Sequence, residues 1–498
     1  MTPRRIPQAV VGIIRLSAAI AFPAFVQAGE TGKPAVRPNI LFILSDDQQH
    51  DTIHALGDAE IQTPNIDSLA KSGVAFTNAY IMGGTSPGVC SPSRACLLTG
   101  RTHWNIENEE IWGYEISEKF KTLPEVFREN GYVTFATGKN HPGKDGHFHR
   151  AYSEGDRLLF NGTSNSKFRH LLHPFSPEGN YNNKTRIQHT GTHSTQIYAD
   201  ACIDFLKKQA TREEPFYAYV AFQAPHDPRE SPEEFRKRYK NGEMKLPENF
   251  MPQHPFNSGA YRDWDEKRVK WPRTGDDIKK HMADYYALIT TMDDQIGRIV
   301  ATLKETNQHE NTIIVLASDN GLALGRHGLL GKQNIYEHSV RVPLILSGPG
   351  IPKGELRDQL CYLPDINPTL CELTGLRIPE TLQHKSLMPV LRHPKATHRD
   401  HLYFAYMNWQ RAVRDGRFKL IEYCVEDERH TQLFDLNKDP DELVNLAGGP
   451  ECADQVKALR ELLKAERVRL NDGNTPYEFA NQQGRYFWSR YNPADSNN

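Results

Sequence analysis

Four apolar runs in this sequence each end in polar groups of complementary chemistry. Residues 39–45 run into Asp46 and Asp47, and 312–317 run into Asp319, Asn320 and Gly321. Residues 132–136 run into Gly138-Lys139-Asn140-His141, and 216–222 into Pro225-His226-Asp227. In open parallel sheets the ligand site lies beyond the carboxyl ends of the strands, so four such ends together say more than any one of them. Two adjacent carboxylates and an Asp-Asn pair supply only oxygen ligands, which suits a hard divalent cation such as calcium or magnesium. One such pair is ordinarily a turn or helix cap; two pairs closing two core strands favour a metal. The spacing of Lys139 and His141 predicts that both side chains leave one face of an extended segment and can share one anion.

Residues 90–100, Cys-Ser-Pro-Ser-Arg-Ala-Cys-Leu-Leu-Thr-Gly, read as a loop entering a short helix that stops at Gly100. Pro92 fits a first turn, and the free N–H groups and positive dipole end of a helix start attract an oxyanion. Arg94 adds a bidentate charge for a tetrahedral anion. A cysteine at such a position is expected to have a lowered pKa and to be reactive. Cysteine phosphatases separate Cys and Arg by five residues; here Cys90 and Arg94 are separated by three, so thiolate phosphatase chemistry does not fit.

The elements that must position these groups are strand-like runs alternating with helical patterns near 194–208, 278–306 and 364–374, and a helix opening at Pro64. That alternation, with continuously apolar strands, predicts an α/β fold with a large, mostly parallel sheet covered on both faces. Near residue 395 the composition shifts. Residues 402–406, 411–414 and 418–423 read as short antiparallel strands with Asp415-Gly416 as a hairpin turn, followed by a helix with Val456, Leu459, Leu462 and Leu463 on one face. The expected organisation is a catalytic unit over 37–394 and a smaller α+β unit over 395–498 that ends in an aromatic tail. Residues 141–193 are long for a plain connection, and such loops are either functional or disordered.

With 38% hydrophobic and 24% charged residues and a formal net charge of −2, the chain is no general nucleic-acid or polyanion binder, and affinity for an anion must come from a local site. Residues 1–28 read as a secretory signal: Arg4, Arg5 and Arg15, an apolar stretch over 16–25, and Val26-Gln27-Ala28 as a cleavage site. Arg15 splits the apolar stretch and leaves too little to span about 30 Å of hydrocarbon. A secreted or periplasmic protein without a membrane anchor after cleavage is therefore expected. Its seven cysteines are odd in number, which an exported chain must explain; a chemically special Cys90 would leave six.

With these residues in view the sequence resembles the type I, formylglycine-dependent sulfatases of the alkaline-phosphatase superfamily. Cys90-Ser-Pro-Ser-Arg94 followed by Leu98-Thr-Gly-Arg101 looks like the signature read by the formylglycine-generating maturation enzyme. The resemblance runs from Pro38 to about Ala447 through Ser45-Asp46-Asp47, residues 63–67, Gly138-Lys139, Pro225-His226, residues 318–321 and residues 433–440. It implies an alkaline-phosphatase-like fold, one calcium ion held by Asp46, Asp47, Asp319, Asn320 and the formylglycine made from Cys90, and a sulfate pocket lined by Arg94, Lys139, His141, His226 and Lys332. A hydrated aldehyde offers two hydroxyls on one carbon. One attacks sulfur and displaces the alcohol; deprotonating the second expels sulfate. The roles expected are base for Asp319 or a neighbour, acid for His226 with Lys332, and second base for His141. Residues 325–332 look like those of bacterial carbohydrate sulfatases, which implies a sulfated carbohydrate substrate.

Weaker candidates for substrate contact are His103, Asp227, Arg229 and His327, each weighed against an ordinary loop or packing role. Residues 485–491 resemble a sugar-stacking patch, although a tail packed on the core is the plainer reading. Asp293-Asp294 reads as a solvated helix face. The competing functions are a phosphodiester or phosphonate hydrolase on the same scaffold and a non-catalytic binder of sulfated glycan.

Overall fold

The strand Asn39–Asp46 is buried along its whole length and its residues alternate between two apolar clusters. Ile40, Phe42 and Leu44 face one core, and Leu41 and Ile43 face the other. A strand with no polar face must be covered on both sides, and this one lies in the interior of an eight-stranded sheet. From one edge the order is Glu355–Arg357, Gly73–Phe76, Leu344–Ser347, Thr312–Ser318, Asn39–Asp46, Phe216–Pro225, Val133–Lys139 and Glu154–Leu159. Seven strands point one way. Leu344–Ser347 alone is antiparallel to both neighbours. The computed structural model describes residues 37–472 apart from 87, 107–115, 142–146, 161, 163 and 427; the signal read over 1–28 and the aromatic tail over 485–491 lie outside the described residues.

Helices Pro64–Ser72, Ser194–Gln209 and Gly275–Glu305 cover one face of this sheet. A second, five-stranded sheet carries the antiparallel run Leu402–Tyr406, Gln410–Arg414, Phe418–Val425 and Glu428–Asp435. Its last strand, which opens with five consecutive polar residues before Leu433 and Phe434, was not anticipated. Gly83–Gly84, close before the helix bearing Cys90, pairs in parallel with Leu402–Tyr406, so the small sheet begins with the early part of the chain. The helix Ala453–Leu470 buries Val456, Leu459 and Leu463, the face its periodicity predicted.

Asp293 corrects the solvated face expected of its pair. It is 1% exposed and accepts from the Ile66 N–H at 2.7 Å, the Asn65 N–H at 3.1 Å and the Asn65 side-chain amide at 2.9 Å. These donors open the helix Pro64–Ser72, whose own Thr63 supplies no side-chain cap, so a carboxylate from another helix caps it. Removing it in Asp293→Ala leaves buried N–H groups unpaired and is expected to cost about 2 kcal/mol, read as a lowered denaturation midpoint with unchanged slope.

Candidate active site

The strands ending in Ser318, Asp46, Pro225 and Lys139 are consecutive neighbours in the sheet. Neighbouring strands lie about 4.8 Å apart, so their carboxyl ends share one patch. Local backbone turns the side chains into it. Asp47 sits at φ 69°, fixed by its N–H donating to Asp319 Oδ1 at 3.1 Å and by the Tyr285 hydroxyl donating to its carbonyl at 2.6 Å. Gly138 sits at φ 90°, and a Cβ there would lie 1.9 Å from the Ala221 carbonyl oxygen, so only glycine lets the chain approach before Lys139. The fifth contributor is the helix Cys90–Thr99, closed by Gly100 at φ 62° with its N–H donating to the Cys96 carbonyl at 2.8 Å. Arg94 ties this helix to the sheet by donating to the Lys139 carbonyl at 2.7 Å.

The groups converge on Cys90. Its Sγ lies 3.3 Å from Asp46 Oδ1, 3.6 Å from Asp47 Oδ1, 3.5 Å from Asn320 Oδ1 and 3.1 Å from Lys332 Nζ. Around it Lys139 Nζ meets Asp46 Oδ2 at 2.5 Å, Arg94 Nε meets Asp319 Oδ2 at 2.8 Å, and Lys332 Nζ meets Asp47 Oδ1 at 2.7 Å. His226 directs Nε2 to Asp47 Oδ2 at 3.8 Å, while its Nδ1 bonds the Asp227 carbonyl at 2.9 Å. Three cations and three carboxylates are buried here. Apolar residues of the same volume would commonly be as stable or more so, so the reason for the cluster lies in its chemistry.

Burial favours neutral forms, and the pairs decide which groups resist it. Burial raises the Asp46 carboxyl, but Lys139, then His226, Arg94 and Lys332, hold it well below the usual range. Burial pushes Asp319 up to about 6, Arg94 opposing and Asp46 assisting. Against burial, Asp47 keeps the Lys332 ammonium well above its ordinary value. Burial and the neighbouring Lys332 lower His226, and burial with Lys139 and Arg94 lowers His141 well below its usual value.

The thiol corrects an expectation. Burial, with Asp319 as the next largest influence, pushes Cys90 well above the normal thiol range. A helix start favours a thiolate, but this one is crowded by carboxylates that oppose it. His141 stands at φ 60°, so it reaches the electrostatic field of Lys139 and Asp46 through a left-handed turn, not along an extended segment.

Two weaker candidates go elsewhere. His103 is buried and packs on Trp104 with ring centroids 3.7 Å apart, and its titration feels Asp472 and Arg411. His327 stacks on Tyr336 at 4.0 Å and bonds the Glu442 carbonyl at 3.0 Å, in a cavity of about 320 Å³ shared with Phe256 and His430. Asp227 and Arg229 stand beside the cluster as an ion pair at 3.4 Å.

Sequence reasoning missed Lys167, fully buried and donating to the Gln223 and Asp227 carbonyls, both at 3.3 Å. It pins the long polar loop to the turn that carries His226, and burial lowers it to about 7, with Asp46 opposing. Asp265, Arg268 and Gln333, discussed below, were also missed. Lys167 and Gln333 lie in irregular chain, and Asp265 and Arg268 in a single 3-10 turn too short to show periodicity; the length of the polar loop was the one available signal, and it bears on Lys167 alone.

The donor set fits a divalent cation. Ligand atoms of Asp46, Asp47, Cys90 and His226 lie within 4.8 Å of one another, and Asn320 Oδ1 adjoins them. The carboxylates are balanced charge for charge by Arg94, Lys139 and Lys332, so a bound dication would leave a surplus of two positive charges facing an anionic substrate.

Comparison with known proteins agrees with this geometry. Residues 38–376 match the family model described as sulfatase, and residues 325–469 match the model of the N-sulphoglucosamine sulphohydrolase C-terminal region. The chain is 28% identical over 485 residues to an arylsulfatase of Clostridium perfringens, covering 88% of this chain and 96% of the relative. It is 27% identical over 512 residues to an N-acetylglucosamine-6-O-sulfatase of Bacteroides thetaiotaomicron, covering 89% and 88%. A solved structure described as a complex with its substrate D-glucosamine-2-N,6-O-disulfate shares the fold, with a TM-score of 0.72 at 23% identity over 89% of this chain and all of that one. With a model covering most of its length and the buried cluster around Cys90 at the sheet's carboxyl edge, the chain belongs to the sulfatase family, enzymes that hydrolyse sulfate esters.

Proposed function

We propose that the protein is exported and removes O-sulfate from a carbohydrate, using a formylglycine at position 90 and one calcium ion. The observation that carries this reading is the set of oxygens of Asp46, Asp47 and Asn320 within 3.6 Å of Cys90 Sγ, with Lys332 at 3.1 Å and with Lys139 and Arg94 bonded to the same acidic cluster. The carbohydrate preference is supported by the similarity to the N-acetylglucosamine-6-O-sulfatase. Export is supported by the N-terminal pattern over 1–28, and no helix among the described residues is long and apolar enough to cross a membrane.

Asp46, Asp47, Asp319, Asn320 and position 90 would hold the ion, whose several oxygen ligands suit calcium better than the small octahedral site magnesium demands. The aldehyde hydrate supplies the attacking and the sulfate-releasing hydroxyls, and the ion supplies positive charge. The chain's own residues bind and move protons. Arg94 and Lys139 brace the carboxylates and face the anion, providing fixed charge where a transition state gathers it. Asp319, bonded to the Asp47 N–H and the Asn320 amide beside position 90, would accept the proton of an attacking hydroxyl. Lys332 keeps its proton at neutral pH and serves as acid for the leaving alcohol, with His226 Nε2 beside it. His141 is neutral and takes the later proton.

Sulfate release from a panel of sulfated mono- and oligosaccharides tests this, with matched aryl sulfate and aryl phosphodiester as controls, on protein co-expressed with a formylglycine-generating enzyme and supplied with calcium. Release from a sugar class at rates far above phosphodiester cleavage is expected. Faster phosphodiester cleavage would replace the reading with a phosphodiesterase on the same scaffold.

A further inference from the structure

Trp264 is 71% exposed, the only aromatic among the exposed large hydrophobic side chains of the described residues. It sits in a segment that is otherwise pinned. Asp263 accepts from the Tyr406 hydroxyl at 2.6 Å. Glu266 is buried, paired with Arg273 at 2.6 Å, and accepts from the Leu330 and Gly331 N–H groups at 2.9 and 2.8 Å. The indole is therefore held out on a rigid support.

That support borders the active site. Asp265 Oδ2 accepts from Gln333 at 2.7 Å, Gln333 in turn accepts from the Lys332 N–H at 2.9 Å, and Lys332 Nζ reaches Cys90. On the other side Arg268 pairs with Asp227 at 2.8 Å, next to His226, and lies 3.7 Å from Asp265. The Arg268 guanidinium that pairs with Asp227 also lies over the Trp264 ring, 6.0 Å from its centroid, so one side chain touches both the indole and the turn that carries His226.

We propose that Trp264 is a carbohydrate-stacking subsite that takes an uncharged pyranose joined to the sulfated sugar, with Asp265 and Arg268 reading its hydroxyls. The flat apolar face of an indole matches the C–H face of a pyranose, and an amphipathic aromatic held rigid loses little freedom on binding. Asp227, Asp263 and Asp265 are balanced by Arg229, Lys267 and Arg268, so the subsite offers a second sulfate no surplus positive charge. This inference rests on the carbohydrate reading above and assigns the protein an oligosaccharide rather than a monosaccharide substrate.

The test compares wild type, Trp264→Ala and Trp264→Phe on one sulfated residue offered as the monosaccharide and as an oligosaccharide extended by neutral sugars. Wild type is expected to favour the oligosaccharide about 10-fold in kcat/KM, the gain of one aromatic contact. Trp264→Ala should erase that preference through KM and leave the monosaccharide rate unchanged, and Trp264→Phe should keep most of it. Equal effects of Trp264→Ala on both substrates, or none on either, would overturn the subsite while wild-type sulfate release leaves the enzyme reading standing. Aryl sulfate turnover without release from any sugar would overturn the carbohydrate reading and the subsite with it.

Discussion

Cys90→Ala is expected to abolish sulfate release, lowering kcat by about 10⁵-fold or more, as the loss of a nucleophile does in other hydrolases. The fold should survive. Position 90 is the first residue of the helix Cys90–Thr99, where alanine is a strong helix former. The groups around it also hold one another: Lys332 on Asp47, Lys139 on Asp46 and Arg94 on Asp319. A melting temperature within a few degrees of wild type, together with silent turnover, separates lost chemistry from lost structure. Cys90→Ser should be equally inactive, because a single hydroxyl lacks the second one that releases sulfate. Turnover retained in the alanine variant would remove position 90 from the mechanism.

The second large effect is that of chelation. Without a cation the three carboxylates are compensated by three cationic side chains, so the apo protein should remain folded and lose its activity. Calcium at a hundredfold excess over its Kd would then add about 2.7 kcal/mol of stability, visible as a rise of a few degrees in Tm. Activity and Tm should return together along one calcium titration, with magnesium less effective. Full activity in excess chelator, with no shift in Tm on adding calcium, would show that the acidic cluster serves only to pair the basic one.

Much of this site was legible in the sequence because its supports are regular. An apolar run long enough to be buried on both faces, followed at once by Asp46-Asp47 or Asp319-Asn320, fixes both the strand and the end at which its polar groups emerge. The helix from Cys90 to Gly100 was readable for the same reason, through Pro92 at its start and glycine at its stop.

Direction in irregular chain was not legible. His103 follows Gly100 by three residues and His327 precedes Lys332 by five, yet both pack into other parts of the molecule, since closeness along a loop does not set where a side chain points. Lys167, Asp265, Arg268 and Gln333 reach the site from segments with no periodicity. Asp293 looked solvated because its partners, Asn65 and Ile66, lie more than two hundred residues away in sequence. The thiol of Cys90 was misjudged because a helix start is visible in a sequence and the carboxylates crowded against it are not.

The most direct measurement of the central claim is sulfate release set against the aldehyde content of residue 90, by peptide mass, across preparations made with graded amounts of the formylglycine-generating enzyme. The account predicts activity proportional to the aldehyde fraction and absent where the peptide carries only cysteine. Sulfate release independent of that fraction would contradict it.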